Sequence, residues 1–334
     1  MKLLKQVAGI DVSKDSFHVC LGTVDADQNI RLLRQSSFPN NEKGFRLLLA
    51  WVDSHSVIVV THYAMEATGV YYEDLAYHLS GKGVPVSVLV PNRAKNYARS
   101  LEIKTKTDKV DATILCRIGL ERALPLWKIP SPGLKRLKLL CREHRSLKGD
   151  NAKLKSKLHA MNHSHEPDNG AISRLKRRQA LFAILIDEVE SEITKLIDND
   201  AELSRLFLNI EQVKGLGRIT IATVIAETDG FAAIENARQL ASYAGMDVMM
   251  NQSGIYNGRT RISKKGNSHI RTALYLPAMS AIRSNERLRQ FYTNIRERRN
   301  NGKVAIIAVA RKMLLLIYTL WKNQSLYDPL MNVN

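Results

Sequence analysis

The stretch GIDVSKDSFHV, residues 9–19, carries one carboxylate, Asp11, in a segment whose apolar and polar residues otherwise alternate like a half-buried strand. It then runs into Ser13 and Lys14. An acid at such a place is costly unless it is paired or binds a ligand. Outward from it, residues 5–24 read as one strand that turns at DADQN into a second over 30–38. NEKGFRLLLAWVDSH reads as a helix with Asn40 or Asn41 near its cap, and SVIVVTHYAMEATG as a buried strand whose end carries Glu66. VYYEDLAYHLSGKG is a helix ending at glycine, VPVSVLVP a short strand, and two helical stretches flank KTKTDKVD. Early antiparallel strands followed by strands separated by helices give the order of a ribonuclease H-like α/β layer over residues 1–130.

After PSPG at 130–133 the pattern becomes helical. Leu140, Leu147, Leu154 and Met161 fall seven apart, and beyond EPDNG a second pattern runs through Leu181, Leu185, Val189, Ile193 and Leu196. This predicts an antiparallel helical hairpin over 131–206, either a dimerising coiled coil or two helices packed within one subunit. Residues 131–178 hold 13 basic and 4 acidic residues, half of the formal net charge of +18. A third, mainly helical region spans 207–325. It opens with VKGLGRITIATVIAE, in which Gly215 and Gly217 form a turn that lets backbone N–H groups approach a phosphate, as in helix-hairpin-helix elements.

Fifty Lys and Arg against 32 Asp and Glu favour a polyanionic partner. No uninterrupted apolar run reaches the roughly 18–20 residues of a bilayer span, and the N-terminus lacks a cleavage-site pattern, so no membrane partner and a cytoplasmic, nucleoid-associated location are expected. Three widely separated cysteines, Cys20, Cys116 and Cys141, argue against a disulfide framework and a zinc site. His159, His163 and His165 precede a breaker and read as a solvated helix end.

Four acids stand out: Asp11 on the first strand, Glu66 at a strand end, and Asp108 and Asp111, three apart on a helix and therefore on one face. Two divalent metals would relieve the repulsion of such a pair and suit phosphoryl chemistry, and oxygen ligands suit Mg²⁺ or Mn²⁺. For any single acid, a helix cap or an ion pair is the plainer reading. Lys104 and Lys106 beside the helical acids, and Arg259, Arg261, Lys264, Lys265 and Arg271 downstream, are the expected nucleic-acid contacts. Tyr71, Tyr72 and Tyr97 are the aromatics nearest the acids.

GIDVSKDSFHV, AMEATGVYYEDLAYHL and KTKTDKVDATILC, followed by YAGMDVMMNQSG and RISKKGNSHIRTALYLPAM, resemble transposases of the insertion-sequence one-ten family, to which the Piv invertases are related. The resemblance runs from about residue 7 to residue 315. It implies a RuvC-like N-terminal domain with a metal site on Asp11, Glu66, Asp108 and Asp111, a coiled-coil connector, and a C-terminal transposase domain with a nucleophilic serine at Ser253. Ser263 in the same loop is the competitor. The resemblance further implies recombination of double-stranded DNA through a serine-linked intermediate, a composite active site, homodimers pairing into homotetramers, and guidance by a non-coding bridge RNA. Competing readings are a RuvC-type metal-dependent nuclease or resolvase, a Piv-like invertase, a non-enzymatic nucleic-acid-binding protein and, remotely, an actin-like phosphotransferase.

Overall fold

A computed structural model describes all residues except 1, 68, 104, 106, 251, 254, 255, 259 and 329–334, and leaves out the side chains of residues 92, 256 and 257. The chain divides into two compact units, Met1–Ile129 and Pro130–Asn334.

In the first unit β1 (Leu3–Val12), β2 (Ser16–Asp25) and β3 (Ile30–Pro39) form an antiparallel meander. α1 (Glu42–His55), β4 (Thr61–Glu66), α2 (Glu73–Gly81), β5 (Val86–Leu89), α3 (Pro91–Ser100) and α4 (Asp108–Glu121) follow. The sheet order is β3-β2-β1-β4-β5, with β4 parallel to both β1 and β5. It is a mixed α/β layer with the topology of a ribonuclease H-like sheet.

Two sequence expectations change here. The segment 5–24 is two strands, because Ser13–Lys14–Asp15 makes a tight turn: the Ser13 backbone N–H and hydroxyl both donate to the Ser16 carbonyl, at 2.9 and 2.6 Å. The apolar run SVIVV is not strand. Val57, Val59 and Val60 are exposed, and β4 begins only at Thr61. Asn41 caps α1, its side chain accepting from the Gly44 N–H at 3.0 Å.

The sheet buries both faces. Ala8, Ile10, Val12, Tyr63 and Met65 pack with α1 and α2, whereas Val7, Cys20, Ala64 and Leu89 pack with α3 and α4. α4 lies unusually close to β1. A methyl group on Gly9 would stand 2.0 Å from the Cys116 backbone N and 2.4 Å from the Ala112 carbonyl oxygen. Cys20 and Cys116 are buried at this contact, and Cys141 is buried in the second unit, all three as free thiols.

The second unit begins with the paired long helices α5 (Pro132–Asn162) and α6 (Asn169–Asp198). Leu140 and Leu154 are buried, but the inward stripe of α6 is Ile172, Leu175, Ile186, Val189, Ile193 and Ile197. Leu181 of the expected pattern is instead 55 % exposed. α7 (Ala201–Glu211), α8 (Arg218–Glu227), α9 (Ala237–Tyr243), the two-residue strands β6 (Val248–Met249), β7 (Gln252–Ser253), β8 (Tyr256–Asn257) and β9 (Arg261–Ile262), and then α10 (Ser268–Ser284), α11 (Glu286–Arg299) and α12 (Gly302–Asn323) complete it. α12 is long and apolar enough to cross a membrane, yet half of that stretch is buried. Val309, Met313, Leu314, Ile317 and Leu320 fill the core shared by α7, α8, α10 and the first turns of α5.

One buried charge organises this core. Glu227, 1 % exposed, accepts from Arg142 Nε and Nη2 at 2.7 and 3.0 Å and from Asn267 Nδ2 at 2.7 Å. Burial alone would raise its pKa, but the bonds from Arg142 and Asn267 outweigh it and hold the carboxyl below its ordinary value of 4.5. Its stabilising contribution is therefore present above that ordinary value and is lost as pH falls through the lowered one.

Two outcomes are expected. Gly9→Ala forces α4 off the sheet and lowers stability by about 1–3 kcal/mol or more, read as a lower urea midpoint with the slope unchanged. Arg142→Met, which leaves Glu227 buried without its cation, costs about 3 kcal/mol at neutral pH. That difference from wild type shrinks in urea titrations run well below pH 4.5.

Candidate active site

The four acids reach one end and one face of the sheet for separate local reasons. Pairing of β1 with β4 ends at Ile10↔Met65, and the next residues on the two parallel strands are Asp11 and Glu66. Side chains alternate along a strand. Since Ala8, Ile10 and Met65 belong to the α1/α2 face, Asp11 and Glu66 belong to the face covered by α4. Asp108 and Asp111 occupy the first turn of α4, where the helix dipole favours negative charge. Neither is the cap. Thr107 is, its hydroxyl accepting from the Val110 N–H at 3.3 Å.

Glu66 and Asp111 line one cleft of about 510 Å³, together with Ala94, Lys95, Ala98 and Arg99 of α3. Asp108 is not among the residues that line this cleft, and its Oδ2 lies 3.6 Å from Nδ1 of His18. His18 is directly opposite Asp11 in the β1–β2 register. Sequence reading missed it, although the Ser-Lys-Asp turn inside GIDVSKDSFHV was the available signal, since a hairpin about that turn sets residue 18 against residue 11. Among the described residues no three His, Cys, Asp or Glu side chains are gathered closely enough to hold an ion. The four acids offer carboxylate oxygens, which suit a hard divalent cation, while His18 adds an imidazole nitrogen beside Asp108 and the thiols are buried.

Lys104, Lys106 and Arg259 lie outside the described residues. Tyr97 is only 5 % exposed and belongs to the core between α3 and α4, which removes it as a stacking platform.

In the second unit Ser253 is exposed on β7 and paired with Tyr256 of β8. Ser263 is engaged: its hydroxyl donates to Asp247 Oδ1 and accepts from the Lys265 N–H at 3.3 Å, while its own N–H bonds the Asp247 carbonyl at 2.9 Å. The loop holding both serines is closed at its base by Gly245 and Gly266. A Cβ on Gly266 would lie 2.4 Å from the Gly245 N and from the Tyr243 carbonyl oxygen. Arg271 seals that closure, with Nη1 donating to the Ala244 and Gly266 carbonyls at 2.7 and 3.0 Å. Arg261, Lys264 and Lys265 remain exposed on the loop. Gly215 has φ +98° and lies against Ala281 of α10, where a Cβ would approach to 2.6 Å, so packing demands this glycine. Gly217 is the exposed N-cap of α8, and the neighbouring Arg218 is occupied by Glu211 and Asp198.

Residues 8–165 match a transposase family model of the DEDD IS110 type, and residues 208–293 match the Transposase IS116/IS110/IS902 family. A pilin gene-inverting protein of Moraxella lacunata is 30 % identical over 332 residues, 97 % of this chain and 98 % of that protein. The chain belongs to the IS110 family of transposases. Its activity is that of a DNA transposase or recombinase, and DNA is its substrate. Also similar is an uncharacterized 42 kDa protein of insertion element IS900 from Mycobacterium paratuberculosis, 28 % identical over 45 % of this chain and 39 % of its own length. Among solved structures, the PPX-GPPA enzyme of Aquifex aeolicus aligns with 31 % of this chain and 42 % of its own at 12 % identity and a TM-score of 0.22, which carries no argument. The DEDD-type transposase domain points to dependence on a divalent metal.

Removing either cleft carboxylate should separate binding from chemistry. Glu66→Gln and Asp111→Asn are expected to lower DNA strand cleavage at least 100-fold, on the order of the loss of one transition-state charge contact. Gel-shift affinity for the same DNA should stay within about threefold, since neither acid attracts a polyanion.

Proposed function

We propose that this IS110-family chain cuts and exchanges DNA strands at the ends of a mobile element by attack of Ser253 on a phosphodiester, with Asp11, Glu66, Asp108 and Asp111 as a site for Mg²⁺ or Mn²⁺. The observation that carries the reading is the convergence of β1, β4 and the first turn of α4 on one end of one face of the sheet. A divalent cation bound there would neutralise the facing carboxylates and stabilise charge on phosphoryl oxygens.

In the serine step the Ser253 oxygen forms a bond to phosphorus and gives up its proton to a base. The bond from phosphorus to one deoxyribose oxygen breaks, and that oxygen takes a proton to leave as a free hydroxyl. The chain then carries DNA through a phosphoserine diester. Rejoining is the reverse attack by a deoxyribose hydroxyl of the new partner strand, which releases the serine. A serine hydroxyl needs an activating surround, and the exposed Arg261, Lys264 and Lys265 of the same loop supply positive charge for the phosphate and its transition state. Ser263 is the weaker candidate because its hydroxyl is engaged by Asp247 and by the turn that follows.

The exposed end of α8 at Gly217 is read as a phosphate contact of helix-hairpin-helix kind. A bridge RNA that pairs with donor and target DNA, and a homodimer pairing into a homotetramer through the α5–α6 coiled coil, complete the reading. What supports them is the basic charge of residues 131–178 and the exposed Leu139, Leu181 and Ile184 on the two helices. The gene-inverting relative suggests inversion as the other biological outcome of the same chemistry.

The test combines full-length protein, Mg²⁺, element-end DNA and the transcript of the element's non-coding flank, followed by a search for an SDS-resistant, protease-sensitive DNA adduct. Wild type and Ser263→Ala should form it, whereas Ser253→Ala and Asp108→Asn should not. Cleavage without an adduct that survives in Ser253→Ala would replace this reading with a RuvC-type nuclease acting through water.

A further inference from the structure

The cleft that holds Glu66 and Asp111 has a second wall, and it is cationic. α3 reads PNRAKNYARS and contains no acid. Its buried residues Ala94 and Tyr97 turn inward to the core shared with α4. Lys95 and Arg99, four residues apart, share the opposite edge and line the cleft, above a floor of Ala94, Ala98, Ile103 and Ile114. Both side chains are exposed, and among the described residues neither forms an ion pair with an acid. They line the α3 side of the cleft, across from which stand Glu66 and Asp111.

From this juxtaposition of Lys95 and Arg99 with Glu66 and Asp111, we infer that α3 is a phosphate-binding rail that seats the DNA backbone flanking the cleaved phosphodiester. The inference rests on the carboxylate cleft being the site of strand cleavage. The rail solves a problem of charge, since a phosphodiester approaching two or more carboxylates is repelled unless cations hold its neighbouring phosphates. Residues four apart on a helix are displaced by about 6 Å along its axis, so the two cations can take successive phosphates of one strand. The contact is to backbone and not to bases, so it is independent of sequence. Lys95 and Arg99 are binding residues in this scheme, and the apolar floor excludes water from beneath the strand.

The test reads Lys95 directly. The full-length chain is acylated with an amine-reactive ester, with and without a fluorescein-labelled duplex of arbitrary sequence and with Ca²⁺ in place of Mg²⁺, and modification at each lysine is followed by mass spectrometry. Lys95 should be protected severalfold by the DNA. In parallel, affinity for the duplex is titrated against salt for wild type, Lys95→Ala/Arg99→Ala and the charge-keeping Lys95→Arg/Arg99→Lys. The alanine pair should weaken binding at least tenfold at low salt and flatten the log–log salt slope by about 1.8, from about 0.9 per phosphate contact. The charge-keeping pair should recover most of both. Unchanged thermal midpoints in all three proteins would confirm that exposed side chains were exchanged without harm to the fold.

A Lys95 that is as reactive with DNA as without it, together with an unchanged salt slope, overturns the rail. The reading beneath it fails differently: Asp111→Asn would then cleave element-end DNA as wild type does, whatever the footprint at Lys95. An inactive Asp111→Asn with an unprotected Lys95 removes the rail alone.

Discussion

The close approach of α4 to β1 at Gly9 is the constraint that sets where the first turn of α4 lies. A helix crossing a sheet is normally held off by side chains on both surfaces, which keep the backbones roughly 10 Å apart. Gly9 has no side chain, and the space its Cβ would fill belongs to the backbone of Ala112 and Cys116. Gly119 meets Val7 in the same way one turn later, where a Cβ would come within 2.6 Å of a Val7 methyl. With both glycines, α4 packs closely on the strand, and its first turn, which carries Asp108 and Asp111, comes to the end of the sheet where pairing of β1 with β4 stops. Parallel β1 and β4 also present their carboxyl ends together, the edge at which open α/β sheets leave a crevice.

The second unit solves a different problem, that of spending a large positive charge without destabilising a helical core. Some of its arginines are used internally. Arg142 neutralises the buried Glu227, Arg218 bridges Glu211 and Asp198, and Arg271 satisfies two carbonyls at the base of the serine loop. Glu227 is the hub, since its oxygens reach α5 through Arg142 and the start of α10 through Asn267, and its backbone carbonyl accepts from the Tyr243 hydroxyl at 2.7 Å. Such a network fixes where the loop of residues 246–265 begins and ends. The strands on that loop are two residues each, too short to hold a position by their own pairing.

Much of the first unit was legible in the sequence because its signals are local. Alternation marked residues 5–24 as extended, Asn40 or Asn41 marked the start of α1, and the spacing of Asp108 and Asp111 marked one face of a helix. Where local signals compete, reading failed. Ser-Lys-Asp looked like a polar interval in a long strand because a tight turn adds only three residues, and Val57–Val60 looked like a buried strand because hydrophobicity alone does not show that no neighbour covers it. Leu181 shows the same limit on α6: a heptad can be drawn through several registers, and only the partner helix selects the one that is buried. The four candidate acids could be singled out in the sequence, but their neighbours His18, Lys95 and Arg99 could not, since each is placed there only by a cross-strand register or a helix packed from elsewhere in the chain. Arg271 shows the converse, a basic residue in a basic run that is in fact consumed by backbone carbonyls.

Charge acts on two scales in this protein, with opposite signs. The net +18 attracts a polyanion from a distance that salt limits to about a Debye length. At the end of the sheet, four carboxylates repel the same polyanion at contact. Neither field alone gives a productive complex, because uniform positive charge binds DNA without placing it and uniform negative charge excludes it. A local arrangement of both signs can do both, and in the first unit the exposed Lys95 and Arg99 line the same cleft as Glu66 and Asp111. On the proposed reading, the strand would be held by its flanking phosphates, and one phosphodiester would be brought to the oxygen ligands and any cation they bind. Lys95 and Arg99 are exposed, Asp11, Glu66 and Asp111 are half-buried, and Asp108, beside His18, is exposed.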